Sequence, residues 1–404
     1  MAKEVKLKRD LGLFQVTVAG VGVILGAGIY ALLGVASASA GNAVWLSFLI
    51  GAIVAIITGA SYAELSSIFK GDAGEYDYVK SAINKKFAFV IAMFIIFGTV
   101  VSSAAVSLGF ARYLTSLVSI NIVLAAILLI LLMALINLIG IKQTSIFNAF
   151  SAFVEFMGLI IIIVIGFTKF GSVNYLEMPL GLGGVFSSAA LVFFAYLGFE
   201  GIIKLREETK NAERTIPKGM LYAILISSVV YVLVAISAVS IVGWEALSQS
   251  TAPMALVAST ILGGYAFTVL AIIALFSTAN TVLLTMVAAS RQIYGMAKEH
   301  SLPKILSHVN TKTRTPLVAI LITTVIAILF TVIGDISIVA NITNFFLFLT
   351  FLAVNLSLII LRYKLPDTHR PFKCPFNIGK FSITASLGII TSLGMLVFVV
   401  MNLI

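Results

Sequence analysis

Cysteine occurs once in the chain, at Cys374, which excludes an internal disulfide and a cysteine-based metal cluster. Histidine is nearly as scarce. His300, His308 and His369 all fall in polar, loop-like stretches, where a surface position is a simpler reading than a metal ligand. Charge is rare too: 10% of the 404 residues are charged, against about 25% in soluble domains. No glycine-rich phosphate loop ending in Lys-Ser/Thr is present, and no loop is long enough to fold alone, so a nucleotide-driven engine is excluded. No clustered His, Asp or Cys set suggests catalysis, and no cofactor or metal is implied. The N-terminal MAKEVKLKRD leads into an apolar segment without a small-residue cleavage site, so no signal peptide is expected.

What fills the chain is apolar: 60% of the residues are hydrophobic and the mean hydropathy is +1.14. Apolar runs of roughly 20 residues recur, each long enough for about 30 Å of hydrocarbon. In lipid the backbone must satisfy its own hydrogen bonds, so the spans are helices or a closed barrel. The runs are continuous and lack period-two alternation, which excludes the barrel. The fold class is an all-α polytopic membrane protein with spans expected near 13–39, 43–63, 87–111, 121–140, 147–168, 183–203, 219–242, 262–288, 316–333, 337–361 and 381–403.

With a cytoplasmic N-terminus, 24 of the 26 lysines and arginines fall on cytoplasmic segments. They run from Lys3, Lys6, Lys8 and Arg9, through Lys70, Lys80, Lys85, Lys86, Lys142, Lys204, Arg206, Lys210, Arg214 and Lys218. Arg291, Lys298, Lys304, Lys312, Arg314, Arg362, Lys364, Arg370, Lys373 and Lys380 complete the set; Arg112 and Lys169 fall outside it. Such a bias sets orientation by the positive-inside rule. It places the C-terminus outside the cell and explains the pI of 9.6 without nucleic acid.

Two spans carry glycine where a helix can break. Span 1 contains GVGVILGAGIYALLG (20–34), and span 6 contains FFAYLGFEG (193–201). A break in lipid is tolerated only where it lines a cavity. The amides of a half-helix N-terminus suit a carboxylate, and carbonyls at the other end suit an ammonium group or sodium. Glycines packing neighbouring helices are the alternative, but the two stretches head two five-helix sets. Those sets, 1–168 and 183–361, would insert with opposite topology as inverted repeats, with 381–403 as an added span.

Five segments in order, VILGAGIY (23–30), SYAELSSIFKGDAGEYDYV (61–79), FFAYLGFEG with LREETKNAERTIPKGM (205–220), SRQIYGMAKEHSLPK (290–304) and HRPFKCPF (369–376), resemble the amino acid–polyamine–organocation superfamily. The cationic amino acid transporter and bacterial amino acid permease branches are the nearest in flavour. The resemblance implies the LeuT-like fold with broken helices 1 and 6. It implies a substrate carboxylate on the amides of Ala27, Gly28 and Ile29, and an amino group on carbonyls near Val23, Ile24, Phe194, Ala195 and Leu197. Phe194 would gate the site, Tyr30 and Tyr196 are the other aromatics placed to touch substrate, and Ile95, Ile96, Val100 and Thr285 would line the side-chain pocket. Most members have twelve spans where eleven are expected here. Many prokaryotic members carry a span 5 lysine where this chain has Glu155.

Glu155 is the acidic residue nearest a span midpoint, and a buried carboxyl can carry a proton. It is expected to face the span 1 break and Ser277 or Thr278 as the coupling group; a neutral acid that merely caps a hydroxyl is the alternative. Glu200 either acts in a gate or satisfies loose amides at the span 6 break. Glu64 is expected in a salt-bridge network with Lys204, Arg206 or Arg291, and Glu207 and Glu208 on a solvated loop. Trp45 and Trp244 suit interfacial anchoring. The expected function is an alternating-access secondary transporter of amino acids in the cell membrane, neutral ones on the strength of the apolar pocket, with proton symport. Sodium symport or amino acid/polyamine exchange are the alternatives, and a passive channel lacks a continuous polar lining.

Overall fold

A computed structural model describes residues 9–69, 74–139, 141–310 and 313–404, with the backbone alone for 141–150. Lys3, Lys6, Lys8, Lys70, Lys312 and the 70–73 part of the 61–79 segment lie outside the described residues, as does the side chain of Lys142.

Each expected stretch is helical. The first is split into α1 (Leu13–Ile24) and α2 (Gly28–Ala40), followed by α3 (Val44–Ile68). A short helix α4 (Glu75–Ala82) precedes α5 (Lys85–Thr115), α6 (Ile122–Ile139) and α7 (Ile141–Gly166). Then come α8 (Gly181–Val192), α9 (Ala212–Gln249), α10 (Pro253–Leu262) and α11 (Gly264–Lys298). The chain ends with α12 (Leu317–Thr331), α13 (Ile336–Lys364) and α14 (Ile383–Leu403). Among the described residues nine stretches are long and apolar enough to cross a membrane by themselves. Gly28–Ile68 forms a single stretch because a short 3-10 turn links α2 to α3; Gly41, at φ +67°, turns the chain between them.

Helix ends follow local chemistry. The Asn84 side chain accepts the Phe87 amide at 2.8 Å ahead of α5, and Asp335 accepts those of Ser337 and Ile338 at 2.7 and 3.1 Å ahead of α13. Along α6, Leu124, Leu128, Leu131 and Leu135 repeat at helical spacing and stay exposed, as a lipid-facing stripe does. Helices α4 and α10, and a two-strand hairpin of β1 (Asn377–Ile378) and β2 (Phe381–Ser382), were not expected from hydropathy.

Both expected breaks are present. After α1, residues 25–27 leave the helix before α2 begins. After α8 the chain tightens into a 3-10 turn (Phe193–Tyr196), leaves it at Leu197 and Gly198, and resumes as a ten-residue 3-10 helix, Phe199–Glu208. Runs of that geometry beyond a turn or so are uncommon and mark hinges. Gly198 holds φ +109°, which a side chain would strain, and a Cβ there would lie 2.6 Å from Val23 Cγ1. Other glycines pack helices: a Cβ on Gly20 would meet Ile202 and Ala223, and one on Gly34 would meet Leu247 and Pro253.

Candidate functional site

The two breaks touch each other. A Cβ on Gly28 would lie 2.5 Å from the Cα of Ala195. Gly28, Ile29 and Tyr30 open α2, so their amides have no acceptor one turn back. The Ala27 amide, by contrast, donates to the Thr281 hydroxyl at 3.2 Å. On the other side, the Tyr231 hydroxyl shares its one hydrogen between the Ala195 carbonyl, at 2.8 Å, and that of Ile24. Two of the carbonyls expected to hold an amino group are therefore already engaged.

A cavity of about 320 Å³ lies at the breaks. Val23, Ile24, Ala27, Gly28, Phe194, Ala195, Leu197, Ile95 and Thr285 line it, as do Glu155 and Glu200. Ile29 and Val100 are fully buried and do not line it. Ile96 lines only the adjoining vestibule. The reason is rotational: on α5 the cavity face is Phe94 together with Ile95, Gly98, Thr99 and Ser102, the last four an i, i+3, i+4, i+7 stripe that leaves 96 and 100 on a neighbouring face. Tyr196 turns away, its hydroxyl on the Phe48 carbonyl at 2.7 Å and its ring edge-on to Tyr231.

Glu155 is 2% exposed, and its Oε1 has no hydrogen-bond partner. The Ser277 hydroxyl is its side-chain neighbour and is likewise without a partner. Thr278 is buried and bonds back to the Ala274 carbonyl at 2.7 Å, away from the cavity. Glu200 accepts the Gly198 amide at 2.9 Å, so it satisfies a loose backbone donor at the break while still facing the cavity.

Toward α4 and the C-terminal end of α11 the cavity continues into a vestibule of about 410 Å³ that shares Glu75, Ile95, Glu200, Lys204 and Gln292 with it. The Glu75 carboxyl accepts the Tyr62 hydroxyl at 3.1 Å. Burial pushes the Glu75 carboxyl above its ordinary value, against the opposing pull of Lys204. The opposite end is sealed. The Tyr113 hydroxyl donates to the Tyr30 carbonyl at 3.1 Å and accepts the Met254 amide at 3.3 Å, while the Tyr30 hydroxyl holds the Glu155 carbonyl at 2.9 Å.

Glu64 corrects an expectation. Its partners are Arg362, through Nε at 2.9 Å and Nη2 at 2.5 Å, the Cys374 amide at 2.7 Å and Arg370 at 3.6 Å, in place of Lys204, Arg206 or Arg291. Lys204 and Arg291 line the vestibule, and Arg206 reaches the Ser66 carbonyl. Arg362 ends α13 beside α3, and the 369–376 loop folds over the pair. Glu207 and Glu208 are exposed, as expected. Trp45 and Trp244 both hold the 167–180 loop, at Tyr175 and Glu177 (3.0 and 3.2 Å). Among the described residues no group of three His, Cys, Asp or Glu is placed to hold a metal.

Sequence reasoning missed Tyr231, Thr281, Asn280, Gln292, Gly98, Thr99 and Ser102. For span 8 a signal existed: once Thr285 faces the cavity, helical spacing brings Thr281, Ala288 and Gln292 with it. Nothing in the sequence distinguishes Tyr231 from the other tyrosines.

A polytopic helical bundle whose two interrupted helices open on one central cavity is a membrane transporter. The chain belongs to the amino acid permease family, whose model matches residues 11–404. It is similar to the branched-chain amino acid permease BcaP of Bacillus subtilis (strain 168), 28% identical over 92% of this chain and 85% of the relative. It is also similar to the methylthioribose transporter of the same organism, 25% identical over 93% and 86%. A third relative is the vacuolar cationic amino acid transporter 2 of Arabidopsis thaliana, 30% identical over 90% of this chain and 61% of that protein. It is thus a multi-pass membrane transporter and not an enzyme.

Proposed function

We propose that the protein is a secondary active transporter that carries neutral amino acids across the cell membrane with protons, by alternating access. The observation that carries the reading is one cavity bounded on one side by the start of α2 at Gly28, where the first-turn amides have no acceptor, and on another by the buried Glu155 carboxyl, whose Oε1 has no hydrogen-bond partner. The amides suit a substrate carboxylate, since a helix N-terminus is a ready anion site. Phe194 lines the cavity, and the α5 and α11 walls offer Ile95, Gly98, Thr99, Leu284 and Thr285 to a substrate side chain. The charged residues lining the cavity are Glu75, Glu155, Glu200 and Lys204, none of them on α5, α11 or α13. A neutral side chain suits such walls.

Residues 1–168 and 183–361 are the two inverted repeats in this reading, and 381–403 is an additional span. Spans 1, 2, 6 and 7 rock against 3, 4, 8 and 9. The charge asymmetry makes the vestibule face cytoplasmic, so the sealed Tyr30–Tyr113 end faces outward and this state is inward-open. Glu155 then takes its proton outside and releases it inside.

The test is uptake and counterflow in proteoliposomes, with each standard amino acid, under a pH gradient or a sodium gradient. Uptake of neutral amino acids driven by an inward proton gradient is expected, with trans-acceleration. Uptake without trans-acceleration would indicate a channel. Dependence on sodium alone would move the coupling to that ion, and uptake of no amino acid would end the reading.

A further inference from the structure

The geometry points to Thr281 as a positioning residue for substrate release: in this inward-open arrangement its hydroxyl takes the Ala27 amide that the substrate carboxylate uses earlier in the cycle. The inference rests on the carboxylate reading above.

An amide has one hydrogen to give. That of Ala27 points at Thr281 Oγ1, 3.2 Å away. The hydroxyl's own hydrogen goes to the Ser277 carbonyl, 3.1 Å away and one turn back along α11. Thr281 is thereby held as an acceptor toward the break. The fit is close: a Cβ on Gly26 would lie 3.3 Å from the same oxygen. Thr281 also lines the cavity, so a carboxylate settling on Gly28 and Ile29 arrives where the hydroxyl already sits.

The two acceptors differ in strength. Hydrogen bonds to a carboxylate are roughly twice as strong as neutral ones. When α11 stands away from the break, the carboxylate takes the amides of Ala27, Gly28 and Ile29 together. When α11 closes on the break, Thr281 claims one of the three and the hold on the carboxylate loosens. Span 8 and the span 1 break belong to opposite rocking bodies, so the exchange is tied to the conformational change. It lowers affinity on the releasing side alone.

The experiment compares wild type, Thr281→Val and Thr281→Ser in right-side-out and inside-out vesicles. The probe is whichever of radiolabelled alanine, serine or leucine the wild type takes up fastest. Removing the competing acceptor is expected to lower the inner-face KM of Thr281→Val by about three- to tenfold, with the outer-face KM unchanged and Thr281→Ser like wild type. An inner-face KM that stays level or rises, equal changes on both faces, or a serine variant that behaves like valine would overturn the inference. Should the valine variant fail to fold by its melting profile, Thr281→Cys, with a much weaker acceptor of similar size, carries the same comparison. Wild-type vesicles that take up no amino acid would instead remove the carboxylate reading beneath it.

Discussion

Gly28 and Ala195 meet backbone to backbone, so closely that a single methyl group at Gly28 would lie 2.5 Å from the Ala195 Cα. The contact joins the break of span 1 to that of span 6 and holds the free amides of one against the engaged carbonyls of the other. Because the neighbour is backbone, it cannot swing aside. Gly28→Val should therefore cost about 1–3 kcal/mol of stability by overpacking and reduce uptake at least tenfold, measured by melting in detergent and by proteoliposome transport. Near-normal uptake would show that the breaks tolerate separation.

Tyr231 pins the same junction from span 7. Its hydroxyl bridges the Ile24 and Ala195 carbonyls, so Tyr231→Phe leaves the ring in place and releases both. A lost hydrogen bond is worth about 0.5–1.5 kcal/mol, and substrate KM should rise about three- to tenfold at both faces. An unchanged KM would mean that the carbonyls hold their geometry unaided.

Glu155 has no hydrogen-bond partner at Oε1, and Gln supplies a permanently uncharged group of similar size. Glu155→Gln should retain amino acid counterflow while losing proton-driven accumulation. Proton flux per amino acid, read with a pH-sensitive dye in the vesicle lumen, distinguishes the cases. Wild-type stoichiometry in the variant would rule out this residue as the coupling group.

The Glu64–Arg362 pair is fully buried. Removing one partner from such a pair strands a charge and typically costs about 3–5 kcal/mol, whereas replacing both by apolar residues is often neutral. Arg362→Met should lower the melting temperature steeply, and Glu64→Leu combined with Arg362→Met should recover much of it. Equal losses in single and double variants would assign the stability to the surrounding loop.

Glu75 has its carboxyl raised above the ordinary 4.5 by burial. A raised carboxyl binds protons in the folded state that the unfolded state has released. Its contribution is therefore fully present below the unfolded value and is lost as pH rises through the folded one. Melting curves across that window should show wild type losing stability with rising pH, and Glu75→Gln losing less. Parallel curves would place the burial cost elsewhere, Glu200 being the next group to replace.

What the sequence determines and what the tertiary structure decides part along a physical line. The apolar helices and the breaks around Gly26 and Gly198 follow from hydropathy and glycine. Those are properties of each segment taken alone, because crossing lipid is a transaction between one helix and its solvent. How each helix is rotated about its axis was decided by its neighbours, and so was not legible. That rotation puts Ser102 in the cavity and Val100 in the core. It brings Arg362 to Glu64 across 298 positions and sets Tyr231 between two carbonyls and Thr281 on the Ala27 amide. Hydropathy is the same for every rotation of an apolar helix; only packing against other helices selects one.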